Sequence, residues 1–253
     1  MNIVEISSTQ NDLVKYCVKL QTPKTRKNEK LIFVDGEQTI LGLIEDNIQF
    51  EYFFCLKNSE VSKKVKTNNL VYVNNEILKK ISTTKSPVDM AGIIKEPIID
   101  INIFNSLNKI VLIDGIKDAG NLGTIIRSAC AFSMDGIILI NDCVDIYNSK
   151  TIRAAAQNMF KLPIIHIGEI ELIKKLSKTH QIISTVVNSD TEFKDLKIPE
   201  KFILAFGSEA DGLSDEIINI SDKTVTFKMA NNVESLNLGV CASISFALID
   251  YLK

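Results

Sequence analysis

The chain has 253 residues, of which 45% are apolar and 24% charged, and it carries a formal net charge of −2. That composition fits a globular protein of one large or two ordinary domains. It excludes a protein that wraps nucleic acid by bulk positive charge, so any RNA contact must rest on local patches. The opening residues, MNIVEISSTQNDLVKY, have neither the basic nor the apolar run of a signal peptide. The longest apolar stretch, Val240 to Ile249, is too short to cross a bilayer. Five cysteines (Cys17, Cys55, Cys130, Cys143 and Cys241) are odd in number and scattered without metal-ligand spacing. They predict reduced thiols, no metal and a cytoplasmic setting.

Residues 1–96 predict a compact α/β unit. Leu13, Tyr16, Cys17 and Leu20 form a helical stripe within Gln10 to Gln21. KLIFVDG and FEYFFCL read as strands with the helix EQTILGLIED between them; LVYV and MAGII read as further strands around the helix NEILKKIS. TPKTRKNEK reads as a loop whose Lys24, Arg26, Lys27 and Lys30, following Lys15 and Lys19, are either a solvated cluster or a phosphate-contacting patch. Residues 97–108 lack periodicity and read as a linker. From residue 109 strands alternate with helices: IVLIDGI, GIILI, LPIIHI, QIISTVV, FILAF and TVTF, with helices beginning near Thr124, Ser149, Glu169, Leu213 and Ser235. Such alternation predicts a mostly parallel sheet covered on both faces.

The loop DGIKDAGNLGTIIRSACAF occupies the strand-to-helix position of nucleotide-binding fingerprints but fits neither the P-loop nor the dinucleotide template. It leaves Asn121 in a turn and Arg127 in an apolar helix, where Arg127 reads equally as a surface ion or a site residue. His166 and His180 stand alone and read as structural. No elbow G-x-S-x-G is present, which argues against common hydrolases.

NLGTIIRSA (Asn121 to Ala129), FGSEADGLS (Phe206 to Ser214) and SLNLGVCASI (Ser235 to Ile244) together resemble the three ordered motifs of the SpoU (TrmH) family, RNA ribose 2′-O-methyltransferases of the SPOUT superfamily. SKTIRAAAQNMFKLPI is similar to the family's segment between the first two motifs. KTRKNEKLIFVDG and ISTTKSPVDMAGII look like the small substrate-binding domain many members carry, a fold similar to certain ribosomal proteins. The resemblance implies an α/β protein with a trefoil-knotted parallel-sheet SPOUT domain over residues 109–253, a smaller N-terminal α/β substrate-binding domain, and a homodimer whose knots pack together and whose sites are completed across the interface.

The implied cofactor is S-adenosyl-L-methionine, held by Gly207, Phe227 and Leu236 with Leu204 and Met229 nearby. The implied catalytic set is Asn121, Arg127, Glu209, Ser235 and Asn237, with Asn121 orienting Arg127. The implied substrate is structured RNA, rRNA more than tRNA, a large-subunit guanosine being the specific expectation. Rival readings are a tRNA 2′-O-methyltransferase, a non-catalytic RNA-binding or ribosome-assembly protein that keeps the knot, and a small-molecule α/β enzyme. One departure stands out: Phe227-Lys228-Met229 replaces the family's usual Ile-Pro-Met, which frees a backbone torsion and restores an N–H.

Overall fold

The structure is a computed structural model that describes residues 1–84, 88–230 and 235–251. Residues 85–87, within ISTTKSPVDMAGII, and 231–234, just before the third motif, lie outside the described residues, as do 252 and 253. The chain forms two compact units: Met1–Ile98 with Tyr147–Gln157, and Ile99–Ile146 with Asn158–Lys253.

In the first unit β1 (Asn2–Ile6), α1 (Asp12–Leu20), α2 (Pro23–Glu29), β2 (Leu31–Asp35), α3 (Glu37–Glu45), β3 (Phe50–Cys55), β4 (Thr67–Val73), α4 (Asn75–Ile81) and β5 (Met90–Lys95) follow in order. They build a sheet of order β1-β4-β3-β5-β2, with β4 parallel to β1 and β3, and β5 antiparallel to β3 and β2. Asn11 and Asn74 cap α1 and α4 by accepting from the Leu13 and Ile77 backbone N–H groups. The caps aim Val14, Cys17, Leu20, Ile77, Leu78 and Ile81 into one cluster with Phe33, Phe54, Val71 and Ile93.

β1 and α2 were not expected from the sequence. α2 replaces the anticipated loop: Pro23 supplies a fixed φ at the first helical position, and Lys30 ends the helix with φ 54°. Arg26 thereby leaves the lysine cluster. It is 5% exposed, and its Nη1 donates to the Gln21 carbonyl at 2.7 Å, a cation at the C-terminal end of α1. Arg26 is therefore corrected from an RNA contact to a structural residue, whereas Lys24, Lys27 and Lys30 are exposed.

The second unit contains β6 (Lys109–Asp114), α5 (Ala119–Ala131), β7 (Gly136–Ile140), β8 (Ile164–Ile167), α7 (Glu171–Leu176), β9 (Gln181–Thr185), β10 (Phe202–Phe206), α8 (Asp215–Asn219), β11 (Lys223–Val225) and α9 (Leu238–Tyr251); α6 (Ser149–Ala155) belongs to the first unit. Every strand pair in the sheet β11-β9-β10-β6-β7-β8 is parallel. β7 and β10 are buried at every residue, as strands covered on both faces must be. Two expectations about boundaries need correction. The stretch 97–108 is no free linker, because its Ile101–Asn105 turn sinks Phe104 completely into the second core. Tyr147–Gln157, expected within the C-terminal domain, packs in the first unit, where Arg153 bonds Thr83 and Thr83 bonds the buried Asp35.

The sheet order has a consequence for function. The chain runs outward from β6 to β7 and β8, then returns so that β10 inserts between β9 and β6. At such a switch point the loops leaving adjacent strands diverge and open a crevice.

Candidate active site

The crevice is built from the loops after β6 and β10 and the segment before α9. Asp114, at the end of β6, is 4% exposed and accepts from Asn141 Nδ2 at 2.6 Å and from the Ser214 backbone N–H at 2.8 Å. One buried carboxylate thus ties together the loops leaving β6, β7 and β10. Asp118 caps α5 by accepting from the Asn121 N–H at 2.8 Å. The helix therefore starts at Ala119, earlier than the expected Thr124, and Asn121 lies in its first turn. Gly120 and Gly123 had masked this start, since glycine ordinarily disfavours helix.

After β10 the chain makes a closed turn: Ser208 N–H donates to the Gly212 carbonyl at 2.9 Å, and Gly212 N–H donates back at 3.1 Å. A Cβ on Gly207 would lie 1.9 Å from the Gly212 carbonyl carbon and 2.1 Å from the Leu213 nitrogen. Gly212 itself has φ +71°. Only glycine at 207 permits this approach.

The turn presents Glu209 to Asn121. Asn121 Nδ2 donates to Glu209 Oε1 at 2.6 Å, and Asn121 Oδ1 accepts from Asn237 Nδ2 at 3.0 Å. Asn237 Oδ1 in turn accepts from the Val240 N–H at the start of α9, at 3.2 Å. Donors and acceptors run in one direction through this series, which fixes the orientation of both amides. Three of the expected site residues, far apart in sequence, are thus joined by direct hydrogen bonds. α9 is locked onto α5 beside them, with Ser128 Oγ and Ser243 Oγ 2.7 Å apart and Gly239 admitting Thr124.

A cavity of about 720 Å³ lies beside this cluster, over the carboxyl ends of β9, β10 and β11 and on the far side of β10 from β6. Gly207, Glu209, Phe227, Met229, Ser235, Leu236 and Asn237 all line it, together with Thr185 to Val187 from the end of β9. Leu204 does not: it is fully buried in β10, with Val111 and Ile183 as its register partners. Leu204, expected near the cofactor, is corrected accordingly to a core residue. Cys241, which the sequence reading left out of the site, also lines the cavity. Burial pushes its thiol up to about 11, so near neutral pH it is a neutral packing group and no nucleophile.

Phe227 is held by a face-to-face stack on Phe193, with ring centroids 4.9 Å apart and planes 6° from parallel. Phe193 N–H also donates to the Thr226 carbonyl at 2.8 Å. The stack holds the Phe227 ring in place at the cavity wall. The Lys194 hydrogen bond, with a weaker contribution from Lys228, holds the Glu192 carboxyl below the usual carboxylate range.

Arg127 sits apart. It is exposed on α5, and among the described residues no hydrogen bond or ion pair engages it. Among the described residues no hydrogen bond joins it to Asn121, whose amide is bonded to Glu209 and Asn237. The two histidines are structural or peripheral. His180 is buried and within 2.8 Å of the Leu107 carbonyl, and His166 Nε2 is 2.6 Å from the Asn141 carbonyl. Among the described residues no group of His, Cys, Asp or Glu is placed to hold a metal ion, and no helix is long and apolar enough to cross a membrane.

An all-parallel sheet with a partly apolar cavity over the carboxyl ends of β9, β10 and β11, and a fixed polar series at the cavity edge, suits a small molecule. Comparison with known proteins makes the class specific. Residues 108–247 match the SpoU rRNA Methylase family, and residues 11–92 match the MRM3-like substrate binding domain. The chain belongs to the SpoU rRNA methylase family. It is 24% identical, over 95% of its length and 96% of the other protein's, to the 23S rRNA (guanosine(2553)-2′-O)-methyltransferase RlmP of Bacillus subtilis.

Two solved structures share the whole fold. The AdoMet-bound rRNA methyltransferase of Sinorhizobium meliloti superposes with a TM-score of 0.87 at 22% identity, covering 97% of each chain. The SpoU methyltransferase AviRb of Streptomyces viridochromogenes, in complex with the cofactor AdoMet, gives 0.85 at 21% identity, covering 96% of this chain and 98% of that one.

Proposed function

We propose that the protein transfers the methyl group of S-adenosylmethionine to a ribose 2′-hydroxyl of ribosomal RNA. The observation that carries this reading is the Glu209–Asn121–Asn237 series at the edge of the cavity, in a chain of the SpoU family. The relative acting on a 23S rRNA guanosine matches nearly full length, which favours large-subunit RNA.

The cavity suits the cofactor. Phe227, Met229 and Leu236 offer apolar surface, and Gly207, which has no side chain, can offer only backbone. When bound, S-adenosylmethionine supplies an electrophilic methyl group on a sulfonium sulfur. The work left to the protein is to position a ribose and to stabilise the charge that develops as its hydroxyl loses a proton. Asn121 and Asn237, with amides fixed in orientation, hold the ribose side of the site; Glu209 is the positioning residue that fixes Asn121. Arg127, apart from the cavity of its own chain, provides an exposed cation for the developing alkoxide and an adjacent phosphate in a site completed across the dimer interface. A guanidinium with a pKa of roughly 12 or more acts more readily as an electrostatic stabiliser than as a base.

Lys24, Lys27 and Lys30, with Lys15 and Lys19, form the local positive patch through which the first unit contacts RNA backbone. The protein works as a homodimer in the cytoplasm, its knotted domains packed together. Val240, Ile244 and Tyr251 on α9 support the dimer: they are 46%, 39% and 89% exposed and fall at helical spacing on one face. The free thiols fit a reducing compartment.

The test is methyl transfer from labelled S-adenosylmethionine to rRNA by wild-type protein and by Arg127→Gln. Loss of roughly 10²–10³-fold in rate with cofactor affinity unchanged is the expected result. A normal rate in Arg127→Gln would remove Arg127 from the chemistry.

A further inference from the structure

The first unit carries a groove of about 620 Å³ that the lysine patch alone does not explain. It is lined by the part-buried Leu31 and Tyr52, by the exposed Pro97 and Ile98, and by Glu29, Glu51, Glu96, Lys30 and Lys95. The composition of that lining follows from one irregularity in the sheet. Phe50 pairs with Ile94 and Tyr52 with Ile93, so Glu51 is the extra residue of a β-bulge. A bulge re-aims the side chain at its centre. Here the bulge puts Tyr52 on the same face as Lys95, beside Glu51, whose carboxylate reaches Lys95 at 3.4 Å. Leu31 is the register partner of Lys95, which sets an apolar side chain next to the charged ones. The left-handed Lys30 completes the edge, pairing with Glu96 at 3.7 Å.

Tyr52 is part-buried and stacked on Phe54 (centroids 6.3 Å apart, planes at 21°), so its ring is braced from behind while lining the groove. Ile98, 99% exposed, is an apolar side chain with no cover on the described surface. An aromatic face flanked by aliphatic side chains is a stacking platform for an unpaired base. Three carboxylates repel phosphate from the interior but accept hydrogen bonds from a base edge: Glu96 meets Lys30, Glu29 accepts from Tyr16, and Glu51 holds Lys95 on Oε1 and Asn68 Nδ2 on Oε2, which leaves each carboxylate with further lone pairs. The lysines lie outermost, with side chains 70% and 76% exposed, where flanking phosphates would run. Exposed ion pairs of this kind are weak enough to exchange partners on binding. Guanine is the base whose Watson–Crick edge presents adjacent imino and amino donors to one carboxylate.

Resting on the reading of this protein as an RNA methyltransferase, we infer that the groove over Tyr52 captures an unstacked guanine of the substrate RNA, its ring on Tyr52 and its donor edge on the Glu51, Glu29 or Glu96 carboxylate. This is a second RNA contact, separate from the methyl-transfer cavity and specific for a base where the lysine patch is not.

The test uses the full chain and fluorescent eight-nucleotide RNAs: a uridine tract, and the same tract with a single guanosine or adenosine. Wild type is expected to bind the guanosine form several-fold more tightly than the other two. Tyr52→Leu, which keeps an apolar group against Phe54, is expected to lose roughly tenfold and to flatten the preference. Glu51→Gln is expected to flatten the preference with little change on the uridine tract. S-adenosylmethionine affinity and thermal midpoint should be unchanged in both, showing intact folding. Equal binding of all three RNAs by wild type, or unchanged binding by Tyr52→Leu, would overturn the groove assignment alone. Wild type that binds S-adenosylmethionine but none of the RNAs, and methylates no rRNA, would overturn the methyltransferase reading instead.

Discussion

Asn121 shows how much of the site is decided by single hydrogen atoms. Its amide nitrogen faces a carboxylate that can only accept, and its oxygen faces an amide that donates. Asn237→Asp should therefore be worse than Asn237→Ala. An aspartate cannot donate to Asn121 Oδ1, and a flipped Asn121 would turn its oxygen toward Glu209. We expect a rate loss of roughly a hundredfold for Asn237→Asp and a smaller one for Asn237→Ala, in keeping with the cost of slight misplacement in a reacting site. Single-turnover kinetics on rRNA would detect this, and the reverse order would contradict the directional series.

A second residue-scale expectation concerns pH. Burial pushes the Cys17 thiol, fully enclosed beneath α1, from 9.0 up to about 12. The unfolded chain loses that proton near pH 9 while the native state keeps it, so the unfolded state is favoured as pH rises. Stability to urea should be level below about pH 8.5 and fall from there toward pH 12. Cys17→Ala should show a shallower fall; an unaltered slope would mean that other groups govern the alkaline limit.

At the scale of elements, the turn after β10 is the least tolerant part of the site. Gly207→Ala places a methyl group on the Gly212–Leu213 backbone, which has no flexible end to move aside. We expect a loss of about 2 kcal/mol or more in stability and at least tenfold in S-adenosylmethionine affinity, measured by urea unfolding and calorimetry. Near-normal values would mean that the turn can open.

The sheet was legible in the sequence because buried parallel strands are nearly continuous apolar runs, as at Gly136–Ile140 and Phe202–Phe206. Helix starts were less legible where local chemistry outweighed composition. Asp118 caps a helix that its glycines disguise, and Pro23 opens one hidden among lysines. Arg26 and Leu204 were misplaced for a related reason: their residue types suit a site, but burial is set by neighbours distant in sequence. Asn121, Glu209 and Asn237 were singled out by motif resemblance, while the hydrogen bonds that join them depend on the topology of the loops. The bulge at Glu51 left no sequence signal, since it is a matter of pairing register.

On the scale of the whole molecule, the chain folds as two units whose cores are not simple halves of the sequence. Tyr147–Gln157 returns to the first unit from within the second, which strand and helix periodicity could not reveal because it does not say which core a segment joins. The exposed stripe on α9 gives the assembly its own test. Val240→Glu with Ile244→Glu should convert a dimer to a monomer in light scattering and abolish methyl transfer; a wild type that is monomeric and active would refute the dimer.

The most direct test of the central proposal is a map of alkali-resistant ribose positions in rRNA and tRNA from cells with and without this gene. The account predicts one rRNA position lost on deletion, restored by the wild-type gene and not by Arg127→Gln. Loss of no position, loss only in tRNA, or restoration by Arg127→Gln would contradict it.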